Sequence, residues 1–293
     1  MKGINAVLDT RDRMRKLRYD TAYMAKPPQR WTVKLRANIS GNALNTHGTI
    51  DDINLRSRLR ADMKITIGAS VSYRGLSVGF ALNPAKLSGR NKDLELNLNA
   101  YGNHVGGDVV MVATKTYKGT ALVNGTDYDI AAGAVSMKML TATGYYAFNQ
   151  SQVQRRSCGS WLAGLSFMAA RITTAAGAVP GTEGSNLWFV SAAVGGGYGY
   201  NFVIGSQWLI HLSAVPQLMI ITHGKFKAGD TSLQAPFRFP SLTNVGRMAV
   251  VRHFGNRFIG LSSVINMFYI GDRDQLLIEN VKWRARLFYG FRF

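Results

Sequence analysis

Hydrophobic and polar positions alternate along most of this chain with a period of two. The stretch VKWRARLFYGFRF sets Val281, Trp283, Ala285, Leu287, Tyr289, Phe291 and Phe293 against Lys282, Arg284, Arg286, Phe288, Gly290 and Arg292. Successive side chains of a β-strand point to opposite faces, so this segment has one greasy face and one mostly cationic face. WTVKLRANIS repeats the design, with Trp31, Val33, Leu35, Ala37 and Ile39 opposed to Thr32, Lys34, Arg36, Asn38 and Ser40. Helical periodicity is nearly absent after residue 30. The alternation predicts twelve strands, at 31–40, 59–74, 76–83, 93–102, 108–118, 135–148, 160–172, 187–201, 206–221, 241–254, 257–271 and 280–293.

The connections between them alternate too. Those at Arg74-Gly75, Gly102–Gly107, Asn149–Gly159, Phe202–Gly205 and Gly255-Asn256 are mostly short; those near 41–58, 84–92, 119–134, 173–186, 222–240 and 272–279 are mostly longer. Outer-membrane barrels show that asymmetry, with short periplasmic turns and long outer loops. An even strand count then puts both chain ends on the periplasmic side. Ile53–Tyr73 alternates for 21 residues, about 70 Å if extended, against an apolar band about 25 Å tall. A strand projecting beyond the membrane is favoured over a bend near Ala61–Met63, because a thirteenth strand would break the loop alternation. Pro216, inside a predicted strand, is read as a bulge.

Composition narrows the class. Hydrophobic residues make up 46% of 293, which excludes a disordered chain. No run of about 18 apolar residues exists, so no transmembrane helix is predicted. Thirty-one glycines and seven prolines suit strands joined by tight turns. The single cysteine, Cys158, excludes an internal disulfide and a cysteine-based zinc cluster. Met1–Val7 carries no signal-peptide core, so the numbering is that of a mature or engineered product, or the chain is not exported. Residues 1–30 hold eight Lys/Arg against Asp9, Asp12 and Asp20. They are expected to form a basic periplasmic arm or plug, with a short helix over 4–18, ahead of the barrel at 31–293.

In lipid every backbone polar group must be paired, and a closed sheet has no open edge. The expected fold is therefore all-β: a closed antiparallel transmembrane β-barrel of twelve strands, greasy outside and basic within. Trp31, Tyr73, Tyr145, Tyr146, Trp161, Trp208, Tyr269, Tyr289, Phe291 and Phe293 fit interfacial aromatic girdles. The final Phe293 resembles the terminal aromatic of outer-membrane barrels. Tyr19-Asp20-Thr21-Ala22-Tyr23, Lys26-Pro27 and Trp31-Thr32-Val33-Lys34-Leu35-Arg36 resemble an uncharacterised family of outer-membrane barrels from Bacteroidota that carries a domain-of-unknown-function label. That resemblance implies fold and location and is silent on activity.

The formal charge of +19 points to anionic partners. Its interleaving with apolar residues argues against a nucleic-acid surface. Lys34, Arg36, Arg58, Arg60, Lys64, Arg74, Lys282, Arg284, Arg286 and Arg292 are expected to line the lumen as one cationic sector, since closure makes the last strand the neighbour of the first. Asp62 and Glu95 are the chief inward acids expected, while Asp93 is assigned to a loop margin. Rings of Arg and Lys favour anions in pores, so a passive channel for anionic solutes is one reading. A lumen filled with paired polar residues is the bland one, and a structural subunit of a larger outer-membrane complex is the alternative. Expected partners are membrane lipid including lipopolysaccharide, outer-membrane proteins and anionic solutes. No cofactor, no metal, no nucleic acid and no catalytic residue is expected.

Two motifs carry other candidate chemistry. Gly195, Gly197 and Gly199 in AVGGGYGYNF lack the Gly-Lys-Ser/Thr of a phosphate loop and are read as making room for opposite side chains. His211 and Ser213 in WLIHLSAVP share one strand face, an imidazole beside a hydroxyl. Some outer-membrane lipid hydrolases use the same His-x-Ser spacing, but with residues facing lipid. Here Trp208, Ile210, Leu212 and Ala214 claim that face, and no third partner is assignable, so an enzyme is the remote alternative.

Overall fold

The computed structural model describes residues 29–50, 53–73, 76–87, 89, 93–101, 104–149, 156–178, 183–205, 207–235, 239–272 and 275–293. The basic arm or plug expected at 1–30 lies outside them, apart from its last two residues. The strands are β1 (Trp31–Ile50), β2 (Ile53–Arg60), β3 (Lys64–Tyr73), β4 (Leu76–Leu82), β5 (Leu94–Tyr101), β6 (Val105–Val123), β7 (Thr126–Ala147), β8 (Cys158–Thr174), β9 (Ser185–Ile204), β10 (Trp208–Ala228), β11 (Thr231–Gln234), β12 (Leu242–Phe254), β13 (Arg257–Asp272) and β14 (Leu276–Arg292). Every ladder is antiparallel. β14 pairs β1 from Thr32↔Arg292 to His47↔Leu277 and closes the wall. Trp31 N–H donates to the Phe293 carbonyl at 3.0 Å and Phe293 N–H returns the bond at 3.1 Å. β2 and β3 are pieces of one wall strand and β11 only extends the tip of β10, so the wall has twelve strands. The end holding both chain ends is called here the terminal end, the other the loop end.

The outer wall is apolar. Leu35, Ile67, Leu165 and Leu287 are 59%, 59%, 61% and 53% exposed. A continuous greasy belt of that kind is expected of a barrel in lipid and not of a soluble domain. Tyr145, expected in an aromatic girdle, points inward instead and packs beside the buried Ala147, Leu162 and Val215.

Several connections expected as long loops are strands that continue past the greasy belt. β6 and β7 run on to Asn124-Gly125, both at positive φ (49° and 82°), where an Asn-Gly pair makes the tight turn that matches strand twist. β10 likewise reaches Ala228. Its bulge falls between Met219 and Ile221, while Pro216 sits opposite Asn244 with no register shift. The neighbouring strand accommodates the proline because Gly195 and Gly197 lack the Cβ that would strike the backbone of Pro216 and Ala214. Close strand approach, not room for long side chains, explains those two glycines.

The long second strand both projects and divides. β1 pairs β2 in the register Ala43↔Arg60 but pairs β3 in the register Ser40↔Lys64. Gly41 and Asn42 of β1 therefore face three residues of the partner, Ala61, Asp62 and Met63, and the extra residue makes a bulge there. Since side chains alternate with period two, one extra residue turns every side chain of β2 to the other face. The partner changes there as well. β2 lies on β6 from Leu55↔Val123 to Arg60↔Lys118, whereas β3 pairs β4, and β5 pairs β6 below, from Leu94↔Ala113 to Tyr101↔Gly106. The fully paired ring has ten strands at the loop end, and β4 and β5 enter between β3 and β6 to make up the twelve wall strands at the terminal end.

Asp93 sits at this fork. Its carboxylate accepts from Lys115 N–H at 2.6 Å and from the Thr116 hydroxyl at 2.9 Å, and lies 3.4 Å from Lys64 Nζ. It ties β3, β5 and β6 where the ladder changes partners. Barrel diameter falls with strand number, and a narrow ring is filled by its own side chains. Accordingly Leu44, Leu59, Tyr117, Met137, Phe189 and Ile278 meet inside the loop end, all at or below 3% exposure. Phe189 of β9 reaches Phe268 of β13 with ring centroids 5.9 Å apart.

Candidate functional site

Below that apolar core the lumen is polar, and its basic residues divide by depth. In register on β1 and β14, Asn42↔Lys282 and Ser40↔Arg284 form the deep rows, Asn38↔Arg286 and Thr32↔Arg292 the shallow ones. The deep cations have acids. Lys282 Nζ stands 2.9 Å and Arg284 3.7 Å from the Glu95 carboxylate, which also accepts from Asn97 at 2.9 Å. Lys64 faces Asp93, and Arg247 of β12 meets Asp108 of β6 across the lumen at 2.6 Å. The void among Glu95, Asp108, Asn266, Lys282 and Arg284 is about 30 Å³, room for about one water.

The shallow cations are different. Arg286 Nε donates to Asn38 Oδ1 at 2.8 Å. Arg292 and Lys34 lie over the Phe258 ring, 4.5 Å and 5.9 Å from its centroid, a contact an aromatic face rewards. Among the described residues no carboxylate lies within ion-pair distance of Lys34, Arg36 or Arg292, and Arg36 Nε is buried without a hydrogen-bond partner. Buried guanidinium nitrogens normally have acceptors, so among the described residues this layer is short of anionic partners.

Of the ten basic residues expected in the lumen, Lys34, Arg36, Lys64, Lys282, Arg284, Arg286 and Arg292 stand there. Arg58 and Arg60 do not. They lie opposite Asn45 and Ala43 on the outer wall, because the bulge inverts β2, and Leu59 and Ser57 take the inward positions. Arg74 lies outside the described residues. Asp62, expected inward, is at the bulge and pairs with the exposed Lys118 at 2.8 Å. Asp93 and Asp108 are lumenal acids that the alternation missed. In DVVMVA both faces are apolar, so periodicity alone assigns Asp108 to neither.

A second constellation lies on β9 and β10. Asn201 is opposite His211 and Gly199 is opposite Ser213. His211 Nδ1 lies 2.8 Å from Asn201 Oδ1, and Nε2 lies 3.0 Å from Ser213 Oγ. An amide oxygen accepts only, so Nδ1 carries the proton and Nε2 is left to accept from the serine hydroxyl. Arg247 stands opposite Ser213 on β12 and lies over Tyr145 at 5.2 Å. All of these face the lumen, while Trp208 and Leu212 face outward at 40% and 45% exposure. Asn201 was invisible in the sequence, since only the strand register sets it beside His211.

The barrel resembles solved outer-membrane structures. The outer membrane protease OmpT of Escherichia coli is 6% identical, with 92% of this chain and 99% of that one covered at a TM-score of 0.50, and shares the fold. The translocator domain of autotransporter NalP from Neisseria meningitidis is 10% identical over 100% and 98%, with a TM-score of 0.31. OprG of Pseudomonas aeruginosa is 10% identical over 90% and 97%, also at 0.31. No curated protein matches the chain. Residues 18–293 fit the family described as a domain of unknown function (DUF4421), and the chain, a closed twelve-stranded β-barrel, belongs to that family.

Proposed function

We propose that this is an integral outer-membrane protein with its terminal end in the periplasm, whose lumen binds anions as a blind cup. The observation that carries the reading is the division of the cations by depth. Deep cations neutralise Glu95, Asp93 and Asp108 and act structurally. Among the described residues Lys34, Arg36 and Arg292 have no acid within ion-pair distance, and they line the terminal mouth. The apolar core above them supports binding over through-conduction, because an ion crossing it would lose its hydration without replacement. Greasy outer wall, rim aromatics and short turns beside the chain ends support the location.

Planar-bilayer recording of the purified protein is expected to show no steady conductance. Titration with inorganic tripolyphosphate is expected to show binding that weakens about tenfold in Lys34→Gln and again in Arg36→Gln, the worth of one charge-assisted hydrogen bond each. A steady anion-selective current, or equal affinity in the variants, would remove the cup.

The Asn201–His211–Ser213 relay supports a second reading, a lumenal ester hydrolase. Ser213 Oγ would attack an ester carbonyl as His211 Nε2 takes its proton. The imidazolium would then protonate the departing alkoxide, and water would release the acid from the acyl-serine. Covalent labelling by a fluorophosphonate is expected in the native protein and lost in Ser213→Ala, with Asn201→Ala slowing it about a hundredfold by freeing the wrong tautomer. Absence of labelling in the folded protein eliminates this reading.

A further inference from the structure

The inversion of β2 has a chemical result on the outside of the barrel. Arg56, Arg58 and Arg60 project from one outward face and are all exposed. Arg60 lies directly opposite Lys118 of β6. Two strands further round, Lys138 of β7 lies directly opposite Arg171 of β8, both exposed on the outer wall. Like charges directly opposed in a sheet destabilise it, and this wall has two such pairs on adjoining strands. Local acids offset them only in part. Asp62 pairs with Lys118, and Glu279 accepts from Asn45 at 3.4 Å. Among the described residues no carboxylate lies within ion-pair distance of Arg56, Arg58, Arg60, Lys138 or Arg171.

Their height is specific. On β8 the outward positions Trp161, Ala163, Leu165, Phe167 and Ala169 are aromatic or apolar, and Arg171 follows at once. From Trp161 to Arg171 a strand tilted about 40° climbs roughly 25 Å, the height of a barrel's apolar band. On β1 the outward row stays apolar or small from Trp31 to Ala43, then turns to Asn45 and His47 beside Arg58 and Arg56. There an open groove of about 510 Å³ is bordered by Asn45, His47, Arg56, Arg58, Leu277 and Glu279. The cations therefore form an arc over β2, β6, β7 and β8 at the loop-end rim of the greasy belt, where acyl chains give way to headgroups.

We propose that this rim is a binding site for the phosphorylated sugar headgroup of an outer-leaflet glycolipid of the lipid A class. Guanidinium groups donate in pairs to phosphate oxygens, acyl chains lie along the apolar outward row beneath, and the groove takes sugar. The phosphates relieve the Arg60–Lys118 and Lys138–Arg171 repulsion. The site rests on the proposed orientation, with the loop end in the outer leaflet, and is separate from the lumenal cup.

The test uses the full chain in nanodiscs of phosphatidylethanolamine doped with bisphosphorylated lipid A, with bound lipid A counted by mass spectrometry after repurification. Retention is expected to fall at least about tenfold in Arg58→Glu/Arg60→Glu and to be unchanged in the lumenal Lys34→Gln. It is also expected to fail for lipid A stripped of its phosphates. Should the double variant not assemble, Lys138→Gln/Arg171→Gln carries the same expectation. Equal retention by the outer-wall variants, an equal loss in Lys34→Gln, or equal binding of dephosphorylated lipid overturns the site. A separate arm labels Asn124→Cys on intact cells. Labelling only after the outer membrane is broken overturns the orientation, whatever the nanodisc result.

Discussion

Asp93→Ala is expected to lower folding stability by about 3–5 kcal/mol, the cost of removing one partner from a buried ion pair. The Asp93 side chain is fully buried and that of Lys64 is 7% exposed, so the stranded ammonium would have little water to turn to. Lys115 N–H and the Thr116 hydroxyl would lose their acceptor as well. The loss falls where β6 passes from β5 to β2, so local damage would spread to the ring's closure. Replacing both charged partners, as in Asp93→Leu/Lys64→Met, is expected to recover most of the loss, because the burial penalty leaves with the charges. Reversible urea unfolding in detergent micelles, followed by the mobility shift of the folded barrel, measures both. A single variant within about 1 kcal/mol of wild type would mean that the fork is held by its backbone alone.

Deleting Asp62 is expected to prevent barrel assembly. Without the extra residue, β2 would continue the parity of β3, and Arg56, Arg58 and Arg60 would turn toward Leu44, Ile278 and their apolar neighbours. Each unpaired guanidinium buried there costs several kcal/mol even after relaxation, and the sum exceeds the net stability of most domains. The point substitution Asp62→Ala keeps the bulge and loses only the exposed pair with Lys118, a change of about 1 kcal/mol or less. Trypsin resistance after refolding separates the two: the substitution should give a protected barrel and the deletion none. A protected deletion variant would show that the register slips elsewhere at small cost.

Much of the fold was legible in advance because lipid and lumen are two solvents, and a strand between them must alternate. The twelve wall strands and the closure of β14 on β1 follow from that alternation and the need to pair every backbone group. Seven of the ten basic lumen residues follow too, since Lys34, Lys64 and Arg284 lie on strands of unbroken parity. Strand ends were less legible. Beyond the greasy belt both faces meet water or other strands, so β1, β6 and β10 continue without a hydrophobic pattern to announce them. The turns at Asn124-Gly125 and Gly229 carry such ends on positive φ, which small turn residues allow.

The amino-acid sequence by itself determined a closed sheet with oil outside and cations among its inward positions. Period-two alternation reports the face of each residue relative to its neighbour in the chain, and nothing more. Which residues meet was decided by the tertiary structure. One bulge carried Arg58 and Arg60 from lumen to outer rim, the partner switch buried Asp93 as a fastener, and register set Asn201 beside His211. The physical reason is that face and contact belong to pairing between strands, and an inserted residue changes both without changing the local pattern on either side of it.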